Sequence, residues 1–189
     1  MKKLAVVFPG LGYHADKPLL YYGRNLATEF GFREQIIAEY SYRGANLLEH
    51  PEKMQEAFEV MFSQAEEQLS KVEWKEYDDI VFISKSVGTA ISCAYAARHQ
   101  VSCRQVLYTP LEQTFLFPVK DAVTFTGTAD PWVDHEALME AIRRAGVPVT
   151  VIPEANHSLE IKDAEDRTDT LRNLEILKQV MEETGKFLC

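Results

Sequence analysis

Ile80-Val81-Phe82-Ile83-Ser84-Lys85-Ser86-Val87-Gly88-Thr89-Ala90 is the stretch whose reading decides the fold. Its first four residues are apolar and mostly β-branched, the signature of a short strand buried on both faces. From Val87 the composition turns helical and stays so to His99. Between them lies a turn of small residues centred on Ser86. A serine in such a strand-to-helix turn holds its hydroxyl clear of the backbone, and small residues two positions away on either side let strand and helix approach. Those flanks here are Ser84 and Gly88. The usual form is Gly-x-Ser-x-Gly, so Ser84 stands in for the first glycine. Ser84 is also a rival nucleophile, although Phe82 and Ser86 flank it less suitably.

Outward from this segment, short apolar runs alternate with longer amphipathic ones. Leu4–Phe8, Gln35–Tyr40, Ile80–Ser84, Gln105–Tyr108, Ala122–Thr126 and Thr150–Ile152 read as six strands. Helices are predicted over Pro18–Phe30, Pro51–Trp74, Val87–His99, Asp134–Ala145 and Asp163–Phe187, with Asp134 as an N-cap and Gly146 as a stop. The apolar stripes along these helices are core faces. Strand–helix alternation implies a single three-layer α/β/α domain around a mostly parallel sheet of about six strands. Such sheets bind ligands beyond the carboxyl ends of their strands. Gly10, Ser41, Ser86, Asp130 and His157 each fall just past a proposed strand end.

A chain of 189 residues is long enough to bury a core without disulfides or a structural metal. The net charge of −9 disfavours nucleic acid and anionic membranes as partners and reads as a solvated acidic surface; the partner expected with the hydrolase reading below is a small-molecule substrate. Three cysteines (Cys93, Cys103 and Cys189) without a Cys-x-x-Cys pair fit packing roles in a reducing compartment. The opening MKKLAVVFPG mimics a signal peptide only faintly, because its apolar run is about six residues and ends in Pro-Gly. A cytoplasmic protein is therefore expected. The five histidines, His14, His50, His99, His135 and His157, are scattered without metal-ligand spacing, so no metal is expected. His14 and His50 read as surface loop residues, although His14 lies close enough to the first turn to meet a ligand. Oligomeric state is unreadable.

A serine nucleophile needs a base within hydrogen-bond reach, and the base needs a group to set its tautomer. The fifth strand runs into Gly127-Thr128-Ala129-Asp130-Pro131-Trp132-Val133 and the sixth into Pro153-Glu154-Ala155-Asn156-His157-Ser158. Taken singly, Asp130 reads equally as an Asp-Pro turn and His157 as a solvated loop residue. Taken together, Ser86, Asp130 and His157 supply nucleophile, orienting carboxylate and base on one rim. A histidine base implies activity that rises with pH about a midpoint near 6.5–7.

At this point the chain resembles the α/β-hydrolase superfamily, most closely its small, lidless esterase and dienelactone-hydrolase-like members. The order Ser86, Asp130, His157 matches. So do the Gly-x-x-Asp-x-x-Val arrangement of Gly127, Asp130 and Val133 and the Tyr42-Arg43-Gly44 turn. Phe8-Pro9-Gly10-Leu11-Gly12 lies where the family carries its His-Gly oxyanion loop, with Pro9 in place of histidine. The resemblance covers nearly the whole chain, read as one domain over residues 1–189, and lacks the family's first two antiparallel strands. It implies hydrolysis of a small ester, lactone or thioester without a cofactor. It also implies an oxyanion hole from the backbone N–H groups of Leu11 and Val87, donors worth about 3–4 kcal/mol each. Gly10, Gly12 and Tyr13 are then expected to border the substrate. With only Thr109 to Lys120 in the lid position, Leu111, Phe115, Leu116 and Phe117 form either one apolar wall of an open site or packing for the strand edge.

Two other readings remain. Gly10-Leu11-Gly12-Tyr13-His14-Ala15 satisfies G-x-G-x-x-G/A after a first strand, with Glu39 at the end of the second, which describes a dinucleotide-binding protein. Against it, Asp16, Lys17 and Pro18 delay the helix start and Asp16 adds negative charge where phosphates would sit. A hydrolase fold used only for binding is the other alternative.

Overall fold

The computed structural model describes residues 1–44, 51–163, 165 and 167–189. His50 lies outside the described residues. Among the described residues six strands form one sheet: β1 (Lys3–Phe8), β2 (Glu34–Ile37), β3 (Asp79–Lys85), β4 (Arg104–Tyr108), β5 (Ala122–Gly127) and β6 (Val149–Ile152). All are parallel, in the order β2-β1-β3-β4-β5-β6. The α-helices of the described residues connect and close them: α1 (Pro18–Glu29), α2 (Pro51–Leu69), α3 (Val87–His99), α4 (His135–Ala145) and α5 (Thr170–Leu188).

The pleat of each strand sends alternate side chains to opposite layers. Leu4, Val6, Phe8, Ile80 and Phe82 meet Met61, Ala65 and Leu69 of α2 and Ile91, Ala94 and Tyr95 of α3. Ala5, Val7, Val81, Ile83, Val106 and Phe125 pack on Leu19, Leu20 and Ala27 of α1 and Ile176 and Val180 of α5. Helix α4 covers β4 and β5 through Leu138 and Ile142, against Cys93, Leu107 and Ala122. Strands covered on both sides cannot show polar alternation, which is why the sequence reads as continuous apolar runs.

Three element boundaries differ from the sequence reading by more than one residue, each for a tertiary reason. Helix α2 stops at Leu69 instead of Trp74. Residues Trp74–Glu76 form a separate 3-10 turn, because the Trp74 ring packs on Phe82 and Tyr95 at centroid distances of 5.9 and 5.6 Å. Helix α5 starts at Thr170 instead of Asp163, with Asp169 as its cap, accepting from the Arg172 N–H. The Asp163 carboxylate takes the N–H groups of Glu165 and Arg167 in a turn, a local alternative to helix. Strand β2 ends at Ile37 instead of Tyr40. The Gln68 and Gln64 side chains of α2 satisfy the backbone of Glu39 and Ser41, so the chain leaves the sheet without orphaned polar groups.

The chain runs from β1 to β2 on one side and to β3 on the other, so the ends of β1 and β3 border the crevice where such folds bind ligands. Phe8 is the register partner of Ser84 there. Gly88, in the first turn of α3, is held against this end: a Cβ on it would lie 2.2 Å from the Phe8 carbonyl oxygen and 2.5 Å from that of Pro9. Gly88→Ala is therefore expected to destabilise the fold by about 2–4 kcal/mol, since backbone rather than a mobile side chain must yield. Urea unfolding checks this: the midpoint should fall while the slope stays unchanged.

Candidate active site

Ser86 is the residue between β3 and α3. It adopts φ 57° and ψ −129°, a conformation an L-residue tolerates only when its surroundings enforce it. Here the Ser86 N–H donates to the Tyr108 carbonyl at 3.0 Å, and its carbonyl accepts from the Thr89 N–H and hydroxyl. The hydroxyl is thereby turned away from the sheet. Ser84, two residues earlier, is fully buried, and its Oγ donates to the Val106 carbonyl. It is a structural residue of β3, and a small polar side chain with an internal partner explains how it replaces glycine.

The loops after β5 and β6 are zipped together. The Thr128 N–H donates to the Ile152 carbonyl, the Ala129 N–H to the Ala155 carbonyl, and the Glu154 N–H to the Thr128 hydroxyl. A Cβ on Gly127 would lie 2.1 Å from the Ala155 carbonyl oxygen, so only glycine allows this approach. Asp130 and His157 are brought together as a result. His157 Nδ1 lies 2.6 Å from Asp130 Oδ2, and His157 Nε2 lies 2.7 Å from Ser86 Oγ. The other Asp130 oxygen, Oδ1, accepts from the Trp132 N–H at 2.9 Å. The Asp130 carboxylate is wholly shielded from solvent, while the imidazole keeps a narrow exposed edge.

Burial lowers the His157 pKa below its ordinary 6.5. The Asp130 hydrogen bond opposes that shift and the Lys85 charge adds to it. The imidazole is consequently neutral at pH 7, the form in which Nε2 accepts a proton.

The loop after β1 closes on itself through Gly10 N–H to Tyr13 carbonyl and Tyr13 N–H to Gly10 carbonyl, both 3.1 Å. Gly10 lies against Ser86, with an added Cβ only 3.0 Å from the Ser86 Cβ. Among the described residues the N–H groups of Leu11 and Val87 donate to no protein acceptor. Both residues line the cleft that holds Ser86 and His157, together with Gly12, Tyr13, Lys17, Met54, Lys85, Leu111, Trp132 and Ser158. This cleft has a volume of about 210 Å3. Tyr40, reached where β2 leaves the sheet, donates its hydroxyl to the Pro9 carbonyl at 2.5 Å and steadies the loop from behind.

Phe115 is not part of this cleft. It lies in the 3-10 turn Glu112–Leu116, packs toward Leu107, Val119 and Leu138, and borders a separate groove on α4 with Phe117 and Pro118. Of the four residues expected as a possible apolar wall, only Leu111 lines the cleft, and Leu116 points into solvent. The turn is instead tied to α3 and to the start of α4: the Thr114 and Thr89 hydroxyls pair at 2.6 Å, and Glu112 accepts from the Asp134 N–H at 3.0 Å. Ser41 and His14 are exposed and likewise do not line it.

Five contributors escaped the sequence reading. Trp132 lies over His157 at 5.7 Å between ring centroids. Asn156 shapes the His157 loop by accepting from the N–H groups of Ser158 and Glu160. Tyr40, Lys85 and Lys17 complete the set. Only Asn156, an Asx-turn former just before a histidine, carried a local signal.

For a dinucleotide, α1 would have to open within the glycines. It begins at Pro18 instead, and its Leu19 N–H is occupied by the Tyr13 hydroxyl at 3.1 Å. Among the described residues no three His, Cys, Asp or Glu side chains are grouped as a metal site requires, and no helix is long and apolar enough to cross a membrane.

No protein-family profile matches the chain, and no curated protein matches it by sequence. Solved structures do match. A protein of unknown function from Agrobacterium tumefaciens, assigned to the α/β hydrolases, has a TM-score of 0.70 at 16% identity, covering 99% of this chain and 84% of that one. An esterase of Pyrococcus furiosus has a TM-score of 0.63 at 12% identity, covering 99% and 80%. A dienelactone hydrolase from Anabaena variabilis has 0.61 at 13% identity, covering 98% and 85%. At these identities the likeness is one of fold.

Proposed function

With the α/β-hydrolase fold as premise, we propose that this chain, a single domain over residues 1–189, is a serine hydrolase acting on a small carboxylic ester, lactone or thioester through an acyl-enzyme on Ser86. One observation carries the reading: the unbroken line from Asp130 Oδ2 through His157 to Ser86 Oγ, at 2.6 and 2.7 Å. It opens onto a cleft lined also by Leu11 and Val87, whose backbone N–H groups donate to no protein acceptor among the described residues.

In the first half-reaction Ser86 Oγ bonds to the substrate carbonyl carbon while its proton passes to His157 Nε2. The carbonyl oxygen takes up the negative charge and is held by the Leu11 and Val87 N–H groups, donors that no protein acceptor occupies among the described residues. Asp130 holds the imidazole in the tautomer with Nδ1 protonated and stabilises the imidazolium. Collapse of the tetrahedral adduct breaks the bond to the alcohol or thiol, which leaves with the proton from His157. Water then repeats the sequence against the acyl-enzyme, releasing the acid and restoring Ser86. A cleft near 210 Å3 is smaller than the roughly 300–1,000 Å3 of drug-sized sites, which supports a small substrate.

Labelling with a fluorophosphonate probe tests the reading. Wild type should label on Ser86, located by peptide mass spectrometry. Labelling elsewhere, or none, contradicts it and favours a fold used for binding.

The pH profile is a second check. Only neutral His157 accepts the serine proton, so kcat/KM should rise with pH through the free-enzyme pKa of that residue. Burial moves that midpoint below 6.5, lower than the sequence alone suggests. A flat profile between about pH 5 and 9 contradicts a histidine base.

A further inference from the structure

Lys85 and Lys17 line the Ser86 cleft but have no part in acyl transfer. Lys85 is 2% exposed. Its ammonium lies over the Tyr13 ring, 4.8 Å from the centroid, and the Lys17 ammonium lies over the same ring at 5.2 Å. Among the described residues, neither ammonium donates a hydrogen bond or has a carboxylate within ion-pair distance. Asp130 attracts Lys85 through space, but its oxygens are already bound to His157 and the Trp132 N–H. The Tyr13 hydroxyl is likewise occupied, by the Leu19 N–H, so the ring offers the cations only its face.

An ammonium removed from water loses more than one ring face returns. Two of them on one ring also repel each other, and Lys17 depresses the Lys85 pKa. Burial is the larger cause and brings the Lys85 pKa down to about 7, where a nearby negative charge shifts it strongly toward the ammonium form. What this corner of the cleft lacks is an anion with oxygen acceptors.

Resting on the serine-hydrolase reading, we infer that the substrate carries a carboxylate or similarly compact anion, held by Lys85 and Lys17 while its ester carbonyl meets Ser86. The anion completes the hydrogen bonding of both ammonium groups and cancels their repulsion. The two lysines therefore select substrate.

Matched esters test this, with the charge in either half of the substrate. In the acyl arm, 4-nitrophenyl hydrogen glutarate is compared with its neutral methyl ester. In the alcohol arm, 4-acetoxybenzoate is compared with its methyl ester. In at least one arm the anionic member should have the higher kcat/KM by about tenfold or more, the worth of a charge-assisted hydrogen bond. That ratio should fall to near one in Lys85→Met and by at least about threefold in Lys17→Met. Lys17 is only half-buried, so its variant keeps the test sound should Lys85→Met fail to fold. Equal rates for both members in both arms, or a ratio unchanged in both variants, overturns the inference.

Fluorophosphonate labelling of the same preparations separates the two failures. Labelled Ser86 without charge preference removes the anion site alone. An unlabelled, inactive protein removes the hydrolase reading. Calorimetry with monomethyl glutarate then decides the anion site: saturable binding weakened in Lys17→Met supports it, and no binding overturns it.

Discussion

Ser86→Ala is expected to lower kcat for ester hydrolysis by roughly a million-fold, with the fold intact. The hydroxyl removed is the only group of Ser86 that reaches His157, at 2.7 Å. Nothing else in the proposed pathway accepts the acyl group. The backbone bonds that shape the turn, to Tyr108 and from Thr89, do not involve the side-chain oxygen and survive the change. The strained φ of 57° is the same for alanine as for serine. Circular dichroism and urea unfolding should therefore be nearly those of wild type, while the burst of nitrophenol that marks acyl-enzyme formation disappears. Residual hydrolysis of about 10³–10⁴ over water would reflect the two backbone donors and binding alone. Turnover at the wild-type rate would mean that another residue is the nucleophile.

Asp130→Asn should cost about 10⁴-fold in kcat, with little change in KM. The geometry explains why so small a change matters. Oδ1 accepts from the Trp132 N–H, which fixes the carbonyl end of the new amide at that position. The amide nitrogen then replaces Oδ2, 2.6 Å from His157 Nδ1. A donor facing Nδ1 forces that nitrogen to be the acceptor and moves the imidazole proton to Nε2. Nε2 then points a proton at Ser86 Oγ and has no lone pair to receive one. Steady-state kinetics over pH measure the effect. A loss below about tenfold would reduce Asp130 to a loop anchor.

Both variants turn on residues that the sequence marks to different degrees. Ser86 stood out because β-branched residues precede it and a helical run follows, two patterns with different periods meeting at one small-residue turn. Asp130 and His157 were legible only through the rule that strand ends share a rim. Asp134 was separable from Asp130 as the true helix cap because it sits just before the helical stripe, and its carboxylate does accept from the Ala137 N–H at 2.9 Å. Lys85 illustrates the opposite case. Nothing in its local sequence marks it, and its burial comes with the approach of the loop that carries Gly10 and Tyr13. Phe115 shows the same limit: an aromatic near a strand end has no local mark telling cleft wall from packing.

By itself, then, the sequence determined the alternation of buried strands and amphipathic helices, the all-but-complete list of elements, and the turn that carries Ser86. These follow from local periodicity and from small residues at close approaches, which neighbours in the chain already express. Tertiary structure decided the rest. It ended α2 at Leu69, ahead of the packed Trp74, and released the chain from the sheet after Ile37, where glutamines of α2 take over the backbone of Glu39 and Ser41. It drew His157 onto Ser86 by zipping the loops after β5 and β6, and it buried Lys85. Each of these depends on atoms distant in the chain meeting at van der Waals or hydrogen-bond distance, and no window of sequence contains both partners.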